Sequence, residues 1–147
     1  MDESVYKGLE GFEAVWRRVT GAAEQGGDAA RLRGLIQAEA DAAAFYLALA
    51  RRCAGAARVL HSIAADDARH RRLLQLEYFL LTGDTFAPVR RSPDADSVLR
   101  ALREGYILKQ QSERTYRALG DKFAALADDE ARHAQGLRAA IADAFGR

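Results

Sequence analysis

Apolar residues recur at intervals of three and four along most of the chain, the period of an α-helix with one buried face. Val5, Leu9, Phe12, Trp16 and Val19 form the first such face and predict an amphipathic helix over 4–19. The segment GAAEQGG interrupts it. A second helix is predicted over 29–53 with Asp28 as its N-cap, and a third over 56–81, set off near Gly55 and ended by Thr82 and Gly83. Both prolines, Pro88 and Pro93, fall in the stretch that follows, TGDTFAPVRRSPDADS. A fourth helix, capped by Asp94 or Asp96, is predicted over 97–119. Gly120 closes it, and Asp121 caps a last helix that reaches 145. Ala, Leu, Arg and Glu favour helix and runs of β-branched residues are absent, so the expected fold class is all-α.

Connection lengths add topology. Short turns join helix 29–53 to 56–81 and helix 97–119 to 122–145, which predicts two antiparallel hairpins. About 14 non-helical residues lie between them and reach on the order of 45 Å when extended. A 25-residue helix is about 37 Å long, so this connection can run the length of a bundle as one long crossover. The expected organisation is an N-terminal helix and linker over 1–27, followed by a four-helix bundle over 28–147.

Composition narrows the class without changing that picture. The chain has 147 residues, about one domain, and a formal net charge of +1. No global field or basic stripe points to nucleic acid; the cluster in VRRSPDADSVLR is small. No apolar stretch is long enough to cross a membrane. Cys53 is the only cysteine, which excludes an internal disulfide or a four-cysteine zinc site and fits a reducing cytoplasm. The acidic start MDESVYKGLE is unlike a signal peptide.

The chemistry lies in a repeat. AADDARH at 64–70 and ADDEARH at 127–133 are identical at five of seven positions. In the third helix Leu60, Ile63, Asp67, His70, Leu74 and Leu81 share one face. In the last helix Phe123, Leu126, Glu130, His133, Leu137 and Ile141 do the same. Each apolar stripe is thus broken at its middle by an acid and a histidine three apart, which point in much the same direction. A carboxylate without a partner is costly to bury. Carboxylate and imidazole together suit iron, manganese or zinc. A single such pair on a surface helix carries no meaning; two copies at mid-stripe point to a metal. Asp66 and Asp129 are expected at the rim, with Arg69 and Arg132 solvated or paired to them, and His61 has no counterpart.

A further acid is expected from the first helix of each hairpin. Glu39 shares a face with Leu32, Ile36, Tyr46 and Leu49. It precedes Cys53 by as many residues as Asp67 follows it, so the two are level in a hairpin that turns there.

The segment EADAAAFY, the DDARH that follows it and the second DEARH resemble the ferritin-like superfamily, and in particular rubrerythrin-type di-iron domains, over about 29–145. The resemblance implies a non-haem di-iron centre with Glu39, Asp67, His70, Glu130 and His133 as ligands. It also implies Tyr46 beside the metals, with Tyr116 as its counterpart in the second hairpin. Two departures are evident: Asp67 stands where the family has glutamate, and the rubredoxin module with its CxxC pairs is missing.

A third departure lies in the fourth helix. Glu39 is seven residues before Tyr46, and the residue seven before Tyr116 is Lys109. Gln110 is level with Glu130 about Gly120. Leu102, Tyr106, Lys109, Glu113 and Tyr116 lie on or near one face, with Glu104 more than a turn away. Either Glu113 supplies the sixth ligand, or the Lys109 ammonium lies among the acids and leaves one metal or none.

Two functions follow. The first is ferroxidase or peroxidase chemistry with peroxide or dioxygen, in iron handling or oxidative-stress defence. Iron would occupy two sites, with manganese or zinc as alternatives, and Tyr46 or Tyr116 would hydrogen-bond a ligand or bound oxygen species. The second is a bundle with a degenerate metal site that serves as a structural or interaction module. Helix 4–19 would then dock a partner or form a homodimer, or else pack on its own bundle.

Overall fold

A computed structural model describes residues 27–93 and 97–146. The predicted helix 4–19, and Asp94 and Asp96, lie outside the described residues. The described chain is all-helical: α1 (Asp28–Ala50), α2 (Ala57–Thr82), α3 (Val98–Ala118) and α4 (Ala124–Phe145), with 3-10 turns at Ala54–Ala56 and Asp121–Phe123.

The helices differ from the sequence expectation mainly at their ends. Helix α1 stops at Ala50 rather than 53, because the backbone tightens into the 3-10 turn before α2. Gly27 is the N-cap and Asp28 lies in the first turn, where its charge suits the positive end of the helix. At α3 the cap is Ser97, whose hydroxyl accepts from the Arg100 amide at 3.4 Å. Asp121 makes no side-chain cap and opens the second 3-10 turn instead. Gly83 ends α2 in the left-handed conformation at φ 76°, and Gly120 makes its turn at φ 105°. Both are backbone positions that glycine occupies without strain.

Two antiparallel hairpins result. In the first, Arg33 reaches Tyr78 and Glu39 reaches His70, so the two helices pair away from a turn near residue 55. In the second, Lys109 meets Glu130 and Arg117 meets Asp128. Leu35, Ile36 and Leu49 of α1, Leu60 and Leu74 of α2, Leu102 and Tyr116 of α3 and Leu137 of α4 are all buried in one core. Leu81, placed by its spacing on the buried face of α2, is 54% exposed. It lies in the last turn of the helix.

The connection between the hairpins is pinned to the first one. Gln37, buried in α1, accepts from the Val89 amide at 2.9 Å and donates to the Val89 carbonyl at 3.0 Å. Gln75 of α2 donates to the Phe86 carbonyl at 2.9 Å, and the Phe86 ring packs on Tyr78. Side-chain amides thus satisfy backbone groups that no helix or strand does.

Candidate metal centre

Each helix sends a charged or imidazole group from the middle of its apolar stripe into the core. They are Glu39 from α1, Asp67 and His70 from α2, Lys109 from α3, and Glu130 and His133 from α4, all buried. The local reason is the helical period. The acid–histidine pairs stand three apart between Leu60 and Leu74 on α2, and between Leu126 and Leu137 on α4, so packing the leucines inward carries the pairs inward too.

Ligand atoms of Glu39, Asp67, His70 and Glu130 lie within 4.8 Å of one another. His70 Nδ1 is 3.5 Å from Glu39 Oε1 and 3.4 Å from Glu130 Oε1. These are ion-pair distances that fail as hydrogen bonds, and His70 Nδ1 has no hydrogen-bond partner. Glu39 Oε2, Asp67 Oδ2 and His133 Nδ1 also lack one. Buried polar atoms are rarely left in that state, so several in one place call for a cation. The donor set fits a divalent metal: three carboxylates and an imidazole nitrogen on four side chains that face one another.

The outer contacts cross between the two motif copies. Asp129 accepts from His70 Nε2 at 2.7 Å, and Asp66 accepts from His133 Nε2 at 2.8 Å. With Nε2 donating outward, Nδ1 is the nitrogen each ring presents to the centre. Arg69 pairs with Asp129 at 2.7 Å and Asp66 at 3.4 Å, and Arg132 joins the same two acids. Asp66 and Asp129, expected at the rim, therefore hold the histidines. The repeat carried the signal: this aspartate and this arginine recur with the histidine.

Lys109 brings a buried ammonium into the cluster. Lys109 Nζ bonds Asp67 Oδ1 at 2.6 Å and Glu130 at 3.1 and 3.2 Å. Burial by itself would lower the lysine pKa; the Asp67 and Glu130 carboxylates outweigh it and hold the ammonium charged. Burial likewise opposes ionisation of Glu130, but Lys109 and the two histidines keep it well below the usual carboxylate range. For His70, burial disfavours the charged ring. The Glu130 and Glu39 carboxylates overcome this and push it up to about 11. Asp129 is brought down to about 2 against the cost of burial, chiefly by His70, Arg69 and Arg132.

Both tyrosines adjoin the centre. The Tyr116 hydroxyl donates to Glu39 Oε1 at 2.6 Å, and burial followed by the Glu39 charge raises its pKa well above normal. Tyr46 places its ring 5.2 Å from Lys109 Nζ, and burial raises its pKa too. Its hydroxyl fits against α3 because residue 105 is glycine: a methyl there would stand 2.8 Å from it. The resemblance in the sequence implied both tyrosines beside the site; the Gly105 contact has no signature in the sequence pattern.

Glu113 does not join the cluster. It is 29% exposed and pairs with Arg117 at 3.1 Å. Four residues along a helix is about 40° more than one full turn, and the Arg117 guanidinium on the next turn draws the carboxylate outward. Lys109 is the residue that enters. Gln110 bonds Tyr106 at 3.1 Å, and His61 is exposed.

Compared with protein-family models, with curated proteins and with solved structures, the chain matches none. What the geometry defines is a helical bundle with a buried carboxylate–histidine cluster able to hold a metal ion. Among the described residues no helix is long and apolar enough to cross a membrane.

Proposed function

We propose that this chain is a metal-binding redox protein of the ferritin-like, rubrerythrin-related kind. Iron would be its cofactor, and peroxide or dioxygen its substrate. The observation that carries the reading is the convergence of Glu39, Asp67, His70 and Glu130 in the core with Glu39 Oε2, Asp67 Oδ2 and His70 Nδ1 free of hydrogen bonds. Iron held there would supply one-electron chemistry. The chain's own residues do the rest. Asp129 fixes the ring of His70 so that Nδ1 faces the ligand set. Tyr116 fixes the Glu39 carboxylate. Leu60, Leu74, Leu102 and Leu137 keep bulk water from the centre. The unpaired thiol of Cys53 suits a reducing compartment such as the cytoplasm.

The test is metal analysis of protein purified from iron-supplemented cells, beside the Glu39→Ala variant. Stoichiometric iron in the wild type, reduced in the variant and accompanied by Fe(II) oxidation or peroxide consumption, is the expected result. Trace metal in both sinks the reading.

A second reading has one observation in its favour. Lys109 already satisfies Asp67 and Glu130, as an ion pair would in a bundle that serves only as an interaction module. Thermal melts with and without Fe(II) separate the two, since a preformed site gains stability on binding and a retired one does not.

A further inference from the structure

The donors around the centre fall into two sets that share Asp67 and Glu130. Glu39 and His70 complete the first set, whose ligand atoms lie within 4.8 Å of one another. His133 completes the second: its Nδ1 is 3.3 Å from Glu130 Oε1 and 3.7 Å from Asp67 Oδ1. Lys109 Nζ lies on those same two oxygens, 3.2 Å from Glu130 Oε1 and 2.6 Å from Asp67 Oδ1. The ammonium therefore stands on the oxygens that a cation beside His133 would need. It is fixed there, since Lys109 is 2% exposed and the Tyr46 ring lies beside Nζ. The first set keeps donors that the lysine does not reach: Lys109 takes Asp67 Oδ1 and both oxygens of Glu130, while Asp67 Oδ2, Glu39 Oε2 and His70 Nδ1 have no hydrogen bond.

We propose that Lys109 replaces the second metal ion of a dinuclear centre. Each chain then takes up a single divalent ion, at Glu39, Asp67, His70 and Glu130, and the His133 side is closed to metal. This inference rests on the metal-binding reading above and adds its stoichiometry and the residue that sets it.

The test is an anaerobic titration with Mn(II), read as bound metal after desalting and as the electron paramagnetic resonance spectrum. The wild type is expected to bind one ion with an isolated-ion spectrum. Lys109→Glu, which adds a carboxylate beside Asp67, Glu130 and His133, is expected to bind two with an exchange-coupled spectrum. Lys109→Gln removes the charge with little change of size. It is expected to admit a second ion more weakly, and it serves if the glutamate variant does not fold. Two ions in the wild type overturn the role of Lys109 while the metal-binding reading stands. One ion at saturation in every folded variant overturns it as well. No ion in the wild type removes the metal-binding reading and this inference with it, a result distinct from the other two.

Discussion

His70 of the first motif copy is held by Asp129 of the second, at 2.7 Å through Nε2. The converse contact joins His133 to Asp66. The two contacts look alike but serve different rings. His70 belongs to the cluster able to hold a metal ion, and His133 lies outside it. Asp129→Asn should therefore weaken metal binding by about 10- to 100-fold, the usual effect of losing the partner of a ligating histidine. Asp66→Asn should change it far less. Isothermal titration of both variants with one metal checks the difference, and equal losses would contradict it.

The same contact sets an acid limit on stability. The Asp129 pKa is lowered from 3.8 to about 2 in the fold. A lowered carboxylate pKa contributes stability that is complete above its unfolded value and is lost as pH falls through its folded one. The unfolding free energy of the wild type should exceed that of Asp129→Asn at pH 5 and above. The gap should narrow between about pH 4 and 2. Denaturant titrations across that range measure it, and a gap independent of pH would show that the interaction is not ionic.

Tyr46 depends on a glycine. A methyl at residue 105 would meet its hydroxyl at 2.8 Å and its ring at 3.2 Å, with Leu137 at 3.5 Å behind. Gly105→Ala should cost about 1–3 kcal/mol through overpacking, against the small gain alanine brings to an exposed helix position. Because Tyr46 lies beside Lys109, the variant should also change metal affinity. Paired melting and titration experiments test this, and a more stable variant with unchanged affinity would show that the ring moves aside freely.

The connection between the hairpins should be sensitive at one side chain. Gln37 carries both bonds to Val89, and Arg90 and Arg91 just beyond it are exposed. Gln37→Ala should cost about 1–3 kcal/mol, as expected when backbone groups lose their partners. It should also speed tryptic cleavage after Arg90 or Arg91 relative to the wild type. Limited proteolysis read by mass spectrometry gives the answer.

The parts of this centre written within one helix were legible in the sequence. The stripes of α2 and α4 located Asp67, His70, Glu130 and His133, and counting back from the turns located Glu39 and Lys109; all of these are buried. What sequence spacing could not supply was depth and partner across helices. Lys109 and Glu113 sit on neighbouring turns of one face, and the choice between them was settled by Arg117 pulling Glu113 outward. Asp66 and Asp129 point away from the stripe of their own helix, so periodicity sends them to the rim. Their partners lie on the opposite helix, about sixty residues away. Leu81 fits the period of α2 but lies in its last turn, where it is exposed.

The crossed aspartates also bear on where such a chain could come from. A single hairpin with this motif is unsatisfied by itself, because its aspartate has no imidazole to hold and its histidine no carboxylate to lean on. Two identical hairpins about a twofold axis answer each other at once, in the manner of an isologous pair. A tandem fusion makes that pairing permanent and lifts the requirement that the halves stay the same. One half can then keep a glutamate at its ligand position while the other exchanges it for lysine, as residues 39 and 109 of this chain have it.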